Sequence, residues 1–310
     1  MIKFLWMMII CFSVSGYYEG DFPMSSGNKS IARIIQGWRG NLGDVPYQVS
    51  FKMKLYLKYQ SFCGGSIVAA NKVLSAAHCF VEDPNFCHKF FRLKPPLRLP
   101  LRRVYAVAGT IKNADEPAKD SVIAQWRRVN DVNYPKSYEF PYSDICVVVT
   151  RSPFIFNEYV NYIPYASRDM DYSGTCLVSG FGSTSRYWNN PSQHLLLAHA
   201  PMLPMKRCEE IGTSGRKFIC SSPPAGPHQG DSGGPLVCHG TNDPNENSTT
   251  GILVGVTCAG YQAPPYYYLY TRVSYHKDLI DDFINTACRS ELYILYVTLS
   301  VNLIHIILLF

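Results

Sequence analysis

The stretch "HQGDSGGP", residues 228–235, sets one serine, Ser232, among three glycines and an aspartate. Glycine is unfavourable inside regular elements, so several around a single hydroxyl mark a backbone that a Cβ would obstruct. That frame fits a nucleophile in a tight turn with bare N–H groups beside it. A Gly-rich surface turn that happens to contain Ser is the plain alternative. A nucleophilic serine needs a base, and the base needs a group to orient it.

The chain has 310 residues, 47% hydrophobic and only 17% charged, with 22 Tyr and 16 Phe. This is ample for a sizeable core, in one domain or two halves. The formal net charge of +6 is mildly basic. No Lys/Arg stripe interleaves with aromatics, so no nucleic-acid partner is expected. Nothing in the sequence calls for a cofactor or a metal.

Short β-type runs separated by Gly, Pro, Asn and Asp fill the middle of the chain. Val45–Phe51, Ser66–Ser75, Arg103–Val107, Ile145–Thr150, Thr175–Ser179, Pro235–Cys238 and Ile252–Thr257 are examples. Regular spacing with turn punctuation predicts an all-β barrel or sandwich. Tyr275–Ala287 is the good helical candidate, with Leu279, Ile280, Phe283 and Ile284 on one face.

Partners for Ser232 follow from context. His78 lies in "LSAAHCF", small residues directly after an apolar strand and beside a cysteine. Asp144 lies in "YSDICVVV", just before a strongly apolar strand that could carry its carboxylate inward. A buried carboxylate needs a partner, and an imidazole N–H is one. A structural histidine and a turn aspartate are the plain alternatives.

His78, Asp144 and Ser232, in that order and in those contexts, resemble the triad of the chymotrypsin/trypsin-like serine proteases. The resemblance runs from about Ile34 to Arg289. It rests on "FCGGSIVAANKVLSAAHC" (62–79), "CLVSGFG" (176–182), "GDSGGPLVC" (230–238) and "YTRV" (270–273). It implies an all-β fold of two six-stranded antiparallel β-barrels with a short C-terminal helix, the barrel boundary falling near 150–160. It also implies peptide-bond hydrolysis by a Ser/His/Asp triad, with the N–H groups of Gly230 and Ser232 as the oxyanion hole. "ARIIQGW" (32–38) resembles the family's activation site. An activating protease would cut after Arg33, and the new ammonium of Ile34 would pair with Asp231. The resemblance pairs Cys63 with Cys79, Cys176 with Cys238, and Cys208 with Cys220. A fourth family bridge is missing at both ends, with His228 in place of its first cysteine. Cys87, Cys146, Cys258 and Cys288 remain, and three pairings are open to them.

The substrate pocket departs from the family. Counting back from Ser232 puts Gly226 at the pocket base, where trypsin-like members carry aspartate. Cys258 stands for the serine that supports the triad aspartate, Ala259 for the tryptophan flooring the cleft, and Gly260 follows as in the family. Tyr268 falls where the family has a pocket-wall glycine. After His78, "HKFFRLKPPLRLPLRR" (88–103) carries six Lys/Arg residues. It is read either as a rim loop for an acidic substrate or membrane surface, or as a solvated insertion.

Both ends carry processing or membrane signals. Lys3 precedes the apolar run Phe4–Phe12, and Ser13, Ser15 and Gly16 follow, the pattern of a secretory signal peptide over 1–16. Residues 17–33 are then a propeptide and 34–289 the protease domain. Eleven cysteines, and sequons at Asn28 and Asn247, suit an oxidising, extracellular setting. At the far end, Leu292–Phe310 holds 19 residues without a formal charge. As a helix this would extend about 28 Å, enough for a marginal span. The tail over 290–310 is read as a membrane helix, a removed GPI-type signal or a packed strand, with membrane attachment preferred. Two function classes stand: a secreted, membrane-tethered endopeptidase made as a zymogen, and a protease-like binding protein with an occluded pocket.

Overall fold

The computed structural model describes residues 37–55, 58–81, 99–113, 123–183, 191–210, 213–261 and 267–285. Strands β2 (Gln48–Leu55), β3 (Lys58–Ala69), β4 (Lys72–Ser75), β5 (Val104–Ala108), β6 (Gln125–Asn133) and β7 (Cys146–Thr150) close a barrel in the order β2-β3-β4-β7-β6-β5. Every pairing is antiparallel. Its interior is filled by alternating side chains such as Val49, Phe51, Ile67, Val104, Ala106, Val129 and Val148, as the two-residue period of a half-buried strand requires.

A second barrel uses β8 (Thr175–Gly180), β9 (Leu196–Leu203), β10 (Phe218–Ser221), β11 (Pro235–Cys238), β12 (Ile252–Tyr261) and β13 (Tyr267–Arg272). Its order is β9-β10-β13-β12-β11-β8, closed by the β8–β9 pairing, and β1 (Trp38–Arg39) adds to β9. The fold is therefore all-β with two six-stranded barrels. A third apolar cluster welds them: Val45, Leu74, Ile145 and Val147 meet Phe181, Leu197, Val237, Leu253 and Val256. The C-terminal 3-10 turn Ser274–His276 runs into a helix over 277–285, with Ile280 buried in that same cluster.

Some elements differ from the sequence expectation. The run Ser66–Ser75 is two strands, β3 and β4, folded back at Ala70-Asn71 so that Ser66 faces Leu74. A short helix, α1 (Met205–Glu210), was not anticipated. Its six residues are too few to show a helical period. Residues 286 and 287 of the expected C-terminal helix lie outside the described residues, as do the expected leader (1–16), the expected propeptide (17–33) and the tail over 290–310.

Candidate active site

His78 sits on the 3-10 turn Ala77–Cys79, directly after β4. Asp144 sits two residues before β7, and β4 pairs with β7 so that Ser75 faces Cys146. That register brings the two residues together across the barrel end. Asp144 is fully buried and holds His78 twice, taking the backbone N–H on Oδ1 at 2.9 Å and contacting Nδ1 with Oδ2 at 2.6 Å. Burial alone would lower the imidazole pKa, but the Asp144 charge and hydrogen bond outweigh it, so the net shift is upward from 6.5. The edge of Phe140 packs against the imidazole, centroids 5.5 Å apart.

The turn that carries Asp144 is itself constrained. Ser143 has φ of 51° and its carbonyl accepts the Ile145 N–H at 2.9 Å. A non-Gly residue in this region is unusual and persists where its surroundings hold it. From the second barrel, the Thr271 hydroxyl donates to the Asp144 carbonyl at 2.9 Å. Phe140 and Ser143 carry no sequence signal of their own, and Thr271 is visible only as part of "YTRV", because each acts through contact with Asp144 or His78.

Ser232 lies in the β10–β11 connection, half-buried. Its carbonyl accepts the Gly64 N–H at 2.7 Å and faces Cys79 Sγ at 3.7 Å, beside His78. The Gly233 N–H goes to the Thr257 carbonyl, and the Asp231 and Gly234 N–H groups close turns onto His228 and Asp231. Among the described residues, the N–H groups of Gly230 and Ser232 have no acceptor. Gly230 and Gly233 have φ of 95° and 77°, where a side chain is strained. A Cβ on Gly233 would also strike Ser75 and the Gly64 carbonyl. The glycines around Ser232 are thus required by the turn itself.

Asp231 points inward. Its Oδ1 accepts the Gly182 N–H at 2.7 Å and its Oδ2 the His228 N–H at 2.9 Å. Side chains at Gly180 or Gly182 would overlap this carboxyl. No cation pairs with it among the described residues, and burial raises its pKa to about 6 despite the two backbone donors. Arg33 and Ile34 lie outside the described residues.

Tyr268, expected at the pocket wall, is buried in the second barrel beside two other expected pocket residues, Gly226 and Gly260. Tyr268 on β13 pairs with Ser221 of β10 and Gly260 of β12. One edge of its ring fills the space a Cβ on Gly226 would take, and the other edge lies 3.4 Å from where a Cβ on Gly260 would stand. Only 8% of Tyr268 is exposed. Ala259 packs beside Phe218 and the buried Cys208–Cys220 pair.

The Trypsin family model matches residues 34–280. "Trypsin-1" of Astacus astacus is 28% identical over 256 residues, covering 80% of this chain and 98% of the relative. "Trypsin I-P1" of Gallus gallus is 27% identical over 224 residues, covering 71% and 79%. "Trypsin II-P29" of Gallus gallus is 26% identical over 291 residues, covering 91% and 99%. The chain belongs to the trypsin family of serine proteases. All three expected family disulfides are formed, Cys63–Cys79, Cys176–Cys238 and Cys208–Cys220. Cys63 and Cys79 lie close to His78, but bonded sulfurs offer no thiolate, so this cluster is not a metal site. Cys146 and Cys258 are free and buried. The Asp144 charge adds to burial in raising both thiols well above 9. Cys87 and Cys288 lie outside the described residues.

Proposed function

We propose that this chain is a serine endopeptidase, made as a zymogen and exported, in which His78, Asp144 and Ser232 do the chemistry. The observation that carries the reading is the double hold of Asp144 on His78. It commits Nδ1 and leaves Nε2 for the serine proton. Neutral His78 takes that proton as Ser232 Oγ attacks the peptide carbonyl, then gives it to the leaving amine, while Asp144 stabilises the imidazolium. The N–H groups of Gly230 and Ser232, which lack other acceptors among the described residues, receive the developing oxyanion. A donor of this kind contributes about 3 kcal/mol to barrier lowering.

Cleavage after Arg33 by an activating protease supplies the ammonium of Ile34 to Asp231, which otherwise stays buried without a cation. A buried carboxylate in that state is costly. Residues 1–16 direct export, 17–33 are the propeptide, and the tail from 290 attaches the domain 34–289 to a membrane. The substrate is a protein or peptide with a small residue such as Ala or Val at the cleaved bond. Gly226 brings no charge to attract Arg or Lys, and Tyr268 takes the room of a large side chain.

The Tyr268 ring also favours a second reading, a protease-like binding protein whose pocket admits no substrate. One experiment separates the two: cut the purified chain after Arg33 and expose it to a fluorophosphonate. Covalent labelling at Ser232, lost in Ser232→Ala, supports the enzyme. A folded, cut chain that takes no label supports the binding protein.

A further inference from the structure

One face of the first barrel carries arginines and protruding apolar side chains that neither the triad nor the pocket uses. Arg102 and Arg103, which end the basic segment, are exposed in the 3-10 turn Leu101–Arg103 that leads into β5. On the neighbouring strand β6, exposed Arg128 reaches back to the Tyr105 hydroxyl at 3.0 Å. The N–H of exposed Arg151 donates to the Arg128 carbonyl at 2.8 Å. Arg127 donates to the Pro153 carbonyl and to Gln125 Oε1, both at 2.7 Å.

Gln125 in turn grips Ile155, donating to its carbonyl at 2.6 Å and accepting its N–H at 2.8 Å. Ile155 is 69% exposed, Phe156 40% and Ile123 37%, and the Phe156 ring packs at a tilt against the exposed Tyr162, centroids 5.6 Å apart. Two hydrogen bonds therefore hold an isoleucine out in water, next to phenylalanine and arginine. Among the described residues, this stretch holds five arginines, Arg102, Arg103, Arg127, Arg128 and Arg151, while Asp131 faces Lys72 and Glu158 engages Tyr159.

The turn between β3 and β4 fixes where this face lies relative to the end of the described chain. The Ala70 carbonyl accepts the Phe154 N–H, the Asn71 carbonyl accepts the Thr150 N–H, and Lys72 Nζ donates to the Phe283 carbonyl at 3.5 Å. The stretch 150–156 and the last described helical turn thus pack on one short turn. The apolar run Leu292–Phe310 follows from that point in the sequence.

We infer that this face docks on an anionic lipid bilayer, with the arginines against headgroups and Ile155 and Phe156 entering the interface. Basic residues beside an anionic leaflet and apolar side chains at headgroup depth are the two components of interfacial binding. A soluble polyanion would use the charges and leave the exposed Ile155 and Phe156 without a role. The inference stands apart from catalysis, and it adds a second membrane contact to the tail.

The test is co-sedimentation of the full-length protein with phosphatidylcholine vesicles, with and without phosphatidylserine. Binding is expected to be stronger on the anionic vesicles by roughly tenfold to a hundredfold and to weaken with salt. Arg102→Gln/Arg128→Gln/Arg151→Gln should remove that preference, and Ile155→Ser/Phe156→Ser should remove most of it with the arginines intact. Unchanged thermal melting is the control for folding. Equal binding to both vesicle types, or variants that bind like the parent, would overturn the inference and leave the tail as sole membrane contact. Loss in the arginine variant alone would overturn it in favour of a soluble polyanion.

Discussion

Tyr268 packs its ring directly over Gly226, filling the volume that a side chain at that position would need. Substitution of Tyr268 by Gly should open this space. We expect kcat/KM for peptides with Phe or Leu at the cleaved bond to rise about a hundredfold, while Ala peptides change little. Removing a buried ring should also cost about 3 kcal/mol of stability. Efficient cleavage after Arg by the unmutated, activated enzyme would contradict the reading.

Asp231 makes the uncut chain pH-sensitive. Its pKa is raised from 3.8 to about 6, so folding favours the protonated acid. This stabilisation is full below about pH 4 and is lost as pH rises through about 6, a change of about 3 kcal/mol. Urea unfolding of an Arg33→Gln chain should show that decline, and adding Asp231→Asn should flatten it. The same Arg33→Gln chain should hydrolyse peptides far more slowly than the cut enzyme. Equal activity would remove the zymogen reading.

Under the proposed mechanism, the raised pKa of His78 sets the acid limb of activity. Catalysis needs the neutral imidazole, so kcat/KM should rise with pH across a midpoint above 6.5. Asp144→Asn should reduce kcat by about four orders of magnitude through loss of the correct tautomer. Ser232→Ala and His78→Ala should each abolish most hydrolysis, and the double variant should be little worse than either.

Cys146 and Cys258 are 1% and 4% exposed, with thiols pushed up by burial and by Asp144. Neither should react with iodoacetamide at neutral pH in the folded protein, and both should react in urea. Mass spectrometry of peptides spanning each residue reads the result. Rapid alkylation of native Cys258 would mean that Asp144 is open to solvent.

Truncation after Ser290 tests the tail. The shortened chain should move from the membrane fraction to the soluble one in neutral membranes, where the arginine face contributes little. Release of the full-length protein by a phosphatidylinositol-specific phospholipase would select the GPI version. Unchanged fractionation would remove the anchor reading.

The sequence by itself determined the family and the class of fold and named the candidate triad, because those are written in short contiguous strings. "GDSGGP" needs its glycines for a turn with φ of 95° and 77°, and that demand is local. The strands Pro235–Cys238 and Cys146–Thr150 were legible for the same reason, as unbroken apolar runs bounded by turn residues. What the tertiary structure decided depends on register between strands far apart in the chain. β13 lies between β10 and β12, pairing Tyr268 with Ser221 on one side and with Gly260 on the other, and so sets the ring against Gly226. Phe140 on His78, Thr271 on Asp144 and the Gly182 cradle of Asp231 are likewise contacts across elements. The exposure of Ile155 has no signal in the sequence, since hydrophobicity alone does not say which face a side chain takes. Only its two hydrogen bonds to Gln125 show that the backbone turns it outward.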